Sequence, residues 1–205
     1  MTKVKICGIK SEMDADILNR YKPDYAGFIF DKTRKRYLEK SKAAELRKKL
    51  DNSIKTVGVF VNADMDHILE FVHEGIIDII QLHGDEDEKF IEEMKQELVH
   101  FNVDIPVVKA FGIKNADDIK LASASSADMV LLDTGRGGTG KTFDWDLIRD
   151  IHRDYVLAGG LTPENVRGAV DRFHPYAVDV SGGVETDGKK DEEKIKEFVR
   201  RVRDE

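Results

Sequence analysis

A cysteine and an aspartate close two short, largely apolar runs and could supply a base and an acid. Cys7 ends the run Val4–Cys7, and Asp133 ends the run Met129–Asp133. A thiol that loses its proton is a base, and the nearby Lys5 is expected to favour the thiolate. A partly desolvated carboxyl group favours its neutral form and can donate a proton. These side chains predict general acid–base chemistry, with a buried apolar cysteine and a loop-capping aspartate as the alternatives.

Two glycine clusters indicate an anion site. Gly159 and Gly160 follow one strand-like run, and Ser181 and Gly182 follow the next. Backbone N–H groups in glycine-rich turns and at helix N-termini bind phosphate. Turns also use glycine for its conformational freedom alone, so each cluster by itself is weak evidence. Their occurrence after two successive runs predicts a phosphate-binding pair of loops.

Residues 135–142 match the nucleotide-binding expression GxxxxGK[ST]. Only 63 residues follow Thr142, whereas this motif usually follows an early strand of its domain. Asp144 is typical of a helix cap, so Lys141 is expected in a loop and not at the start of a helix. We interpret the stretch as an active-site loop whose glycines, Gly138 among them, bring backbone N–H groups near an anion.

Eight short runs rich in Val, Ile or Phe alternate with segments of helical periodicity. Such runs predict strands that are buried on both faces. They are Val4–Cys7, Tyr25–Phe30, Thr56–Val61, Asp78–Leu82, Pro106–Phe111, Met129–Asp133, Tyr155–Ala158 and Ala177–Ser181. The predicted helix caps are Ser11, Ser41, Asp64, Asp85, Asn115, Asp144 and Thr162. The alternation predicts a minimal, single-domain (β/α)8 barrel over residues 1–205, with a doubly wound open sheet as the competitor.

Side-chain alternation assigns the polar residues near the strand ends to one face. Lys5 and Cys7 point the same way along strand one, and Gln81 and His83 do so along strand four. The apolar residues between them must face the helices, so the polar face is expected to be the barrel interior. His83 is expected either to fill the top of the barrel or to contact the ligand. Gln81 and Lys109 are expected to contribute packing and charge balance.

Composition restricts the classes of partner. The 205 residues are 40% hydrophobic and 36% charged, with a net charge of −7. This balance is typical of a globular protein and argues against binding to nucleic acid or to an anionic membrane. One cysteine excludes an intrachain disulfide and a cysteine-based metal site, and no other cluster has metal-ligand spacing. We expect no cofactor, no signal peptide or membrane helix, and a cytoplasmic location.

The motifs, taken in order, resemble those of the phosphoribosylanthranilate isomerase family. They are VKICGI, GFIF followed by R-x-R-Y, VGVFVN, IIQLHG, VVKAF, LLD with GGTGKTFDW, LAGGLTPENV and AVDVSGGVE. The resemblance runs from Val4 to the region of Asp191. It implies a (β/α)8 barrel that converts a small phosphosugar by an Amadori rearrangement in tryptophan biosynthesis, without a cofactor, as a monomer or a homodimer.

The resemblance also implies roles for individual residues. Cys7 would be the general base and Asp133 the general acid. Arg36, which directly precedes a tyrosine, would meet the anthranilate carboxylate in preference to Arg34. The glycine loops after strands seven and eight would hold the phosphate, with the loop around Gly138 nearby. The chain reads SGG at 181–183 where the family usually reads SSG, so a side-chain contact to phosphate at that position is not expected.

Three alternative functions have expectations of their own. The related aminoaldose–ketose isomerase of histidine biosynthesis uses an aspartate where this chain has Cys7. Indoleglycerol phosphate synthase has a lysine-rich mouth and a longer segment before the position of Val4. A phosphate-binding barrel that has lost catalysis would be expected to lose Cys7 or Asp133. Cys7 argues against the first alternative, and the short segment before Val4 argues against the second. The presence of both Cys7 and Asp133 argues against the third.

Overall fold

The computed structural model describes residues 1–134 and 145–203. Its centre is a closed barrel of eight parallel strands, β1 to β8, in which each strand pairs with its neighbours in chain order and β8 pairs with β1. The strands are β1 Lys3–Cys7, β2 Tyr25–Ile29, β3 Lys55–Phe60, β4 Ile79–Leu82, β5 Val107–Gly112, β6 Met129–Asp133, β7 Tyr155–Leu157 and β8 Ala177–Val180. The predicted barrel is therefore confirmed, and the open sheet is excluded.

Helices follow the strands in the predicted alternation. They are α1 Glu12–Tyr21, α2 Lys40–Lys49, α3 Met65–His73, α4 Glu88–His100, α5 Ala116–Ala124, α6 Pro163–Phe173 and α7 Glu192–Arg203. The connection from β6 to β7 contains a 3₁₀ helix, Trp145–Asp150. A short hairpin of β9 Glu185–Thr186 and β10 Lys189–Lys190 follows β8 and was not predicted. None of the described helices has the length and apolar character needed to span a membrane.

Some predicted caps are confirmed, whereas others are wrong. Ser11 and Asn115 accept hydrogen bonds from the first-turn amides of α1 and α5, each within a capping box. Ser41 lies inside α2, which begins without a side-chain cap. Asp87 caps α4 in place of Asp85, whose side chain instead accepts a hydrogen bond from Nδ2 of Asn62, in the loop after β3, at 3.4 Å. The predicted cap Asp144 lies outside the described residues.

The strands bury two different sets of side chains. Outward residues such as Ile6, Leu82 and Leu132 are fully buried in the layer between the barrel and its helices. Inward residues such as Leu131 and Val156 form a separate interior cluster. The predicted period-two alternation is thus confirmed, and it places polar inward residues such as Lys5 toward the carboxyl end of the barrel.

Candidate active site

The carboxyl ends of β1 and β6 place Cys7 and Asp133 on different sides of the barrel mouth. Two strands, β7 and β8, lie between β1 and β6 along the shorter path around the barrel. Both side chains are largely buried, with 7% of the surface of each residue exposed. A ligand that spans the mouth can therefore meet a thiol on one side and a carboxyl group on the other.

Cys7 is tightly enclosed. A Cβ atom added at Gly27 would lie 2.8 Å from the Cys7 sulfur, so the neighbouring strand must have a glycine there. The hydroxyl of Ser181 donates to the Cys7 carbonyl at 3.0 Å and ties β1 to the loop after β8. Burial raises the pKa of the Cys7 thiol above its ordinary value, and the positive charge of Lys5 opposes this without overcoming it. The expectation that Lys5 would favour the thiolate is therefore correct in direction, but burial outweighs it.

Lys5 is engaged by a buried aspartate. Its ammonium group lies 2.8 Å from Oδ2 of Asp179, which is its register partner on β8. The other carboxylate oxygen, Oδ1, is buried and accepts no hydrogen bond from the described residues. A buried unpaired oxygen is costly unless a partner reaches it. Asp179 thus adds negative charge beside the thiol and keeps one acceptor available.

Asp133 is surrounded by hydrogen-bond donors. The amide of Thr134 donates to its Oδ1 at 2.6 Å, and Nε2 of His83 lies 3.6 Å from its Oδ2. Nε2 of Gln81 lies 2.9 Å from Nδ1 of His83. Because an amide nitrogen only donates, Nδ1 accepts and the ring proton sits on Nε2, facing Asp133. His83 therefore lies beside the candidate acid, and Gln81 orients its ring.

Lys109 and Gly159 support this side of the mouth. Lys109 forms a buried ion pair with Glu86 at 2.9 Å, which confirms its expected part in charge balance. A Cβ atom at Gly159 would lie 2.8 Å from Oδ1 of Asp133, and Gly159 has a φ of +83°. Only glycine meets both conditions without strain. Gly159 therefore leaves room for Asp133, besides its predicted place in the phosphate loop.

The two predicted phosphate loops are in contact. A Cβ atom at Gly183 would lie 1.9 Å from the carbonyl oxygen of Leu161, so the loops after β7 and β8 pack with no space for a side chain. Gly160 has a positive φ of +67°, and Gly182 begins a 3₁₀ turn. The amides of Gly160 and Gly182 donate no hydrogen bond to any residue within 1–134 and 145–203. Such amides are available to an anion.

Arg36 and Arg34 have different partners. The aliphatic part of Arg36 covers Gly8, where an added Cβ atom would lie 2.3 Å from the arginine Cδ. Its guanidinium forms a two-point ion pair with Glu185, and a Cβ atom at Gly182 would lie 3.7 Å from Nη2. Arg34 instead pairs with Asp31 at 3.1 Å. The structure thus brings Arg36 next to the loop after β8, while its contact with the anthranilate carboxylate stays a prediction.

Several functional features were missed or cannot be placed. Glu185 was part of a quoted motif but had no predicted role, and Lys190 was not considered. Neither closes an apolar run, which is the signal that points to Cys7 and Asp133. Gly138 and the P-loop-like stretch lie outside the described residues. Within the described ranges, no group of three or more His, Cys, Asp or Glu side chains is arranged to hold a metal ion.

Comparison with known proteins identifies the family. Residues 4–201 match the family model described as N-(5′-phosphoribosyl)anthranilate (PRA) isomerase. The chain belongs to this family. It is 45% identical to N-(5′-phosphoribosyl)anthranilate isomerase of Clostridium acetobutylicum, with 99% of this chain and 98% of that protein aligned. It is 43% identical to the isomerase of Acetivibrio thermocellus, with 100% and 97% aligned.

Solved structures agree with this family assignment over the whole chain. The barrel superposes on phosphoribosyl anthranilate isomerase of Thermotoga maritima with a TM-score of 0.87, at 40% identity and with all of both chains covered. A second isomerase structure, at 37% identity and a TM-score of 0.85 over the full length of both chains, holds reduced 1-(o-carboxyphenylamino)-1-deoxyribulose 5-phosphate. The predicted family and the isomerase class are therefore confirmed.

Proposed function

We propose that this chain converts N-(5-phosphoribosyl)anthranilate to 1-(2-carboxyphenylamino)-1-deoxyribulose 5-phosphate, the isomerase step of tryptophan biosynthesis. The observation that carries the proposal is the placement of Cys7 and Asp133 on different sides of one mouth. Arg36 and the free amides of the glycine loops lie at its rim. The reaction needs one acid and one base acting on different atoms of a sugar, and the substrate carries an anion at each end.

Asp133 acts as the general acid in this proposal. The carboxyl group must first bind a proton, and it then donates this proton to the ribose ring oxygen as the C1–O bond breaks, which leaves a Schiff base. His83 stands 3.6 Å from the carboxylate and Thr134 holds the other oxygen, so the group is fixed in place. Fixed geometry at the reacting atom lowers the barrier because little reorganisation is left for the transition state.

Cys7 acts as the general base. Its thiolate removes the proton from C2 of the Schiff base, which gives an enolamine that tautomerises to the ketose. Since burial raises the pKa of the thiol, most of the free protein holds a neutral cysteine near pH 7. The positive charge of the protonated Schiff base favours the thiolate at the moment when it is needed.

The two substrate anions have separate anchors. The phosphate is held by the backbone amides of Gly160 and Gly182, with Ser181 in the same loop. The anthranilate carboxylate is held by Arg36, whose guanidinium matches a carboxylate in a two-point contact. We also propose a contribution from the loop that contains Gly138. Gly182 supplies a backbone donor only, because it has no hydroxyl group.

The chain is proposed to need no metal or organic cofactor, and to act in the cytoplasm as a monomer or a homodimer. A related structure from T. maritima contains monomers generated from a dimeric isomerase. Light scattering coupled to size-exclusion chromatography measures which state this chain adopts.

The decisive experiment follows the loss of phosphoribosylanthranilate fluorescence, with substrate generated in situ. Full activity is expected with EDTA present and without nucleotide, because no residue cluster in the sequence has metal-ligand spacing. An absolute requirement for a divalent ion would contradict the proposal. Turnover of the aminoaldose substrate of histidine biosynthesis, but not of phosphoribosylanthranilate, would favour the related isomerase. Binding without turnover of either would indicate a non-catalytic barrel.

A further inference from the structure

The hairpin after β8 contains a buried charge pair that the proposed chemistry does not use. Glu185 and Lys190 are register partners across this hairpin, and the ammonium group lies 3.0 Å from Oε1 of the carboxylate. The Lys190 side chain is 2% exposed and that of Glu185 is 8% exposed. A buried ion pair contributes little net stability, because desolvation offsets the attraction. The presence of this pair is therefore better explained by a role other than stability.

Glu185 holds the guanidinium of Arg36 from one side. Nε of Arg36 donates to Oε1 and Nη2 donates to Oε2, in a two-point contact. A guanidinium carries five N–H donors in one plane, and this contact uses only two of them. The edge formed by Nη1 and the second hydrogen of Nη2 is therefore left for another planar anion. Of the three side chains, that of Arg36 is the most exposed, at 24%, so it is the one that a ligand can reach.

Lys190 balances the charge of Glu185. Burial raises the pKa of Glu185, but Arg36 and Lys190 overcome this and hold it below its ordinary value, so the group is a carboxylate. Arg36 and Glu185 alone would form a neutral pair with little attraction for an incoming anion. Burial lowers the pKa of Lys190 and the neighbouring Glu185 opposes this; with the ammonium group protonated, the three side chains carry a net positive charge. The buried lysine thus restores the attraction that Glu185 would otherwise cancel.

Lys190 also links this group to the phosphate loop. Its ammonium group donates to the carbonyl of Ser181 at 3.0 Å, and the hydroxyl of Ser181 donates to the carbonyl of Cys7. A chain of contacts therefore runs from the carboxylate anchor through the phosphate loop to the strand that bears the base.

We propose that Glu185 is a positioning residue that orients Arg36 toward the substrate carboxylate, with Lys190 as its buried counter-charge. The inference rests on the proposed role of Arg36 as the carboxylate anchor. Glu185 does not touch substrate in this arrangement. It fixes the plane of the guanidinium in advance, so that less side-chain entropy is lost when the carboxylate binds.

The test uses Glu185→Gln in the full chain, with two ligands. Reduced 1-(o-carboxyphenylamino)-1-deoxyribulose 5-phosphate carries both anions, whereas inorganic phosphate occupies only the phosphate loops. We expect Glu185→Gln to weaken binding of the reduced analogue about tenfold and that of phosphate less than about twofold, on the scale of one charged hydrogen-bonded contact. KM should rise by a similar factor, with kcat nearly unchanged. Equal weakening of both ligands would contradict a role through Arg36.

Asp31→Asn is the matched control, because Asp31 is also a largely buried carboxylate that pairs with an arginine of the same loop. It should leave both affinities within about twofold of the wild type, as is usual for a pair that includes an exposed partner. An effect equal to that of Glu185→Gln would indicate a general loosening of the loop after β2 and would overturn the proposal.

A double-mutant cycle separates orientation from simple structural support. In an Arg36→Ala background, Glu185→Gln should weaken analogue binding by less than about twofold further. Independent, multiplicative effects would overturn the proposal. If Arg36→Ala alone leaves analogue binding unchanged, the proposed anchor fails as well. If Arg36→Ala weakens binding but Glu185→Gln does not, only the inference about Glu185 fails.

A second variant guards against a folding defect. Glu185→Gln leaves Lys190 buried without its counter-charge, so thermal unfolding is measured alongside binding. Glu185→Gln/Lys190→Met removes both charges together and leaves no lone buried ion. It should show the same loss of analogue binding, and this loss should again disappear in the Arg36→Ala background. A loss that persists in that background would overturn the proposal.

Discussion

The thiol side of the barrel mouth differs from the carboxyl side in how its polar groups are paired. Around Cys7 the neighbours are ionic, with Lys5 held by Asp179 and an unpaired carboxylate oxygen on the latter. Around Asp133 the close neighbours are hydrogen-bonding groups, namely the Thr134 amide and the His83 ring. The proposed base thus lies among opposed buried charges, whereas the proposed acid accepts hydrogen bonds from Thr134 and lies near the His83 ring.

This difference indicates how the two groups respond to substrate. A thiol whose pKa is raised by burial stays neutral until an added positive charge changes the local balance. The reaction supplies that charge itself when the Schiff base forms. A general acid must instead hold a proton before the C1–O bond breaks. We therefore expect the proposed base to depend on the charges around it.

The largest effects are expected from removing either proton-transfer group. Cys7→Ser and Asp133→Asn should each lower kcat by about 10²-fold or more, the usual scale of general acid–base catalysis. KM should change far less, because the phosphate and carboxylate anchors remain. Steady-state kinetics on phosphoribosylanthranilate give both constants. A Cys7→Ser variant that retains most of its kcat would mean that the cysteine is only a buried apolar residue.

The pH dependence of alkylation tests the charge balance on the thiol side. A raised pKa keeps Cys7 protonated at neutral pH, so inactivation by iodoacetamide should speed up with pH and reach half its maximum above about 8.5, the ordinary value for cysteine. The kcat/KM profile should fall toward acid pH for the same reason. The reduced product analogue should protect the thiol. A midpoint well below 8.5 would show that Lys5 outweighs burial.

The two arginines after β2 give the next largest contrast. Arg36→Ala should raise KM about tenfold or more, since it removes a charged two-point contact to the carboxylate. Arg34→Ala should raise KM less than about twofold, because Arg34 is a half-exposed partner of Asp31. KM measured for the two variants under identical conditions shows which arginine binds the carboxylate. The reverse order would mean that the anthranilate lies elsewhere.

Much of the barrel could be predicted because its signals are local. Short apolar runs indicate each strand, and the residue that closes a strand is expected at the mouth, which points to Cys7 and Asp133. The ion pairs could not be predicted in this way. Arg36 and Glu185 are 149 residues apart, and only closure of the barrel brings them together. The start of α4 differs from the prediction because Asp85 and Asp87 are both suitable cap residues, and it is Asp87 that accepts the hydrogen bond from the Phe90 amide.

The phosphate loops join the two sides of the mouth, and they supply a further contrast. Gly160 lies on the carboxyl side and has a φ of +67°, a backbone conformation that residues with a Cβ atom rarely adopt. Gly160→Val should therefore raise KM severalfold and weaken binding of inorganic phosphate, by straining the loop and blocking close approach to its amides. Isothermal titration with phosphate measures the effect. Unchanged affinity would place the phosphate elsewhere.

The smallest effect is expected at Ser181, on the thiol side of the same loops. Its hydroxyl already donates to the Cys7 carbonyl at 3.0 Å, so it is engaged with the protein and not with the anion. Ser181→Ala should raise KM less than about threefold and lower the free energy of unfolding by about 1 kcal/mol, the cost of one neutral hydrogen bond. Phosphate titration and denaturant unfolding test both values. A loss of phosphate affinity as large as that of Gly160→Val would mean that the Ser181 hydroxyl turns to the ligand. Phosphate would then be bound by a side chain on the thiol side and by backbone amides on the carboxyl side.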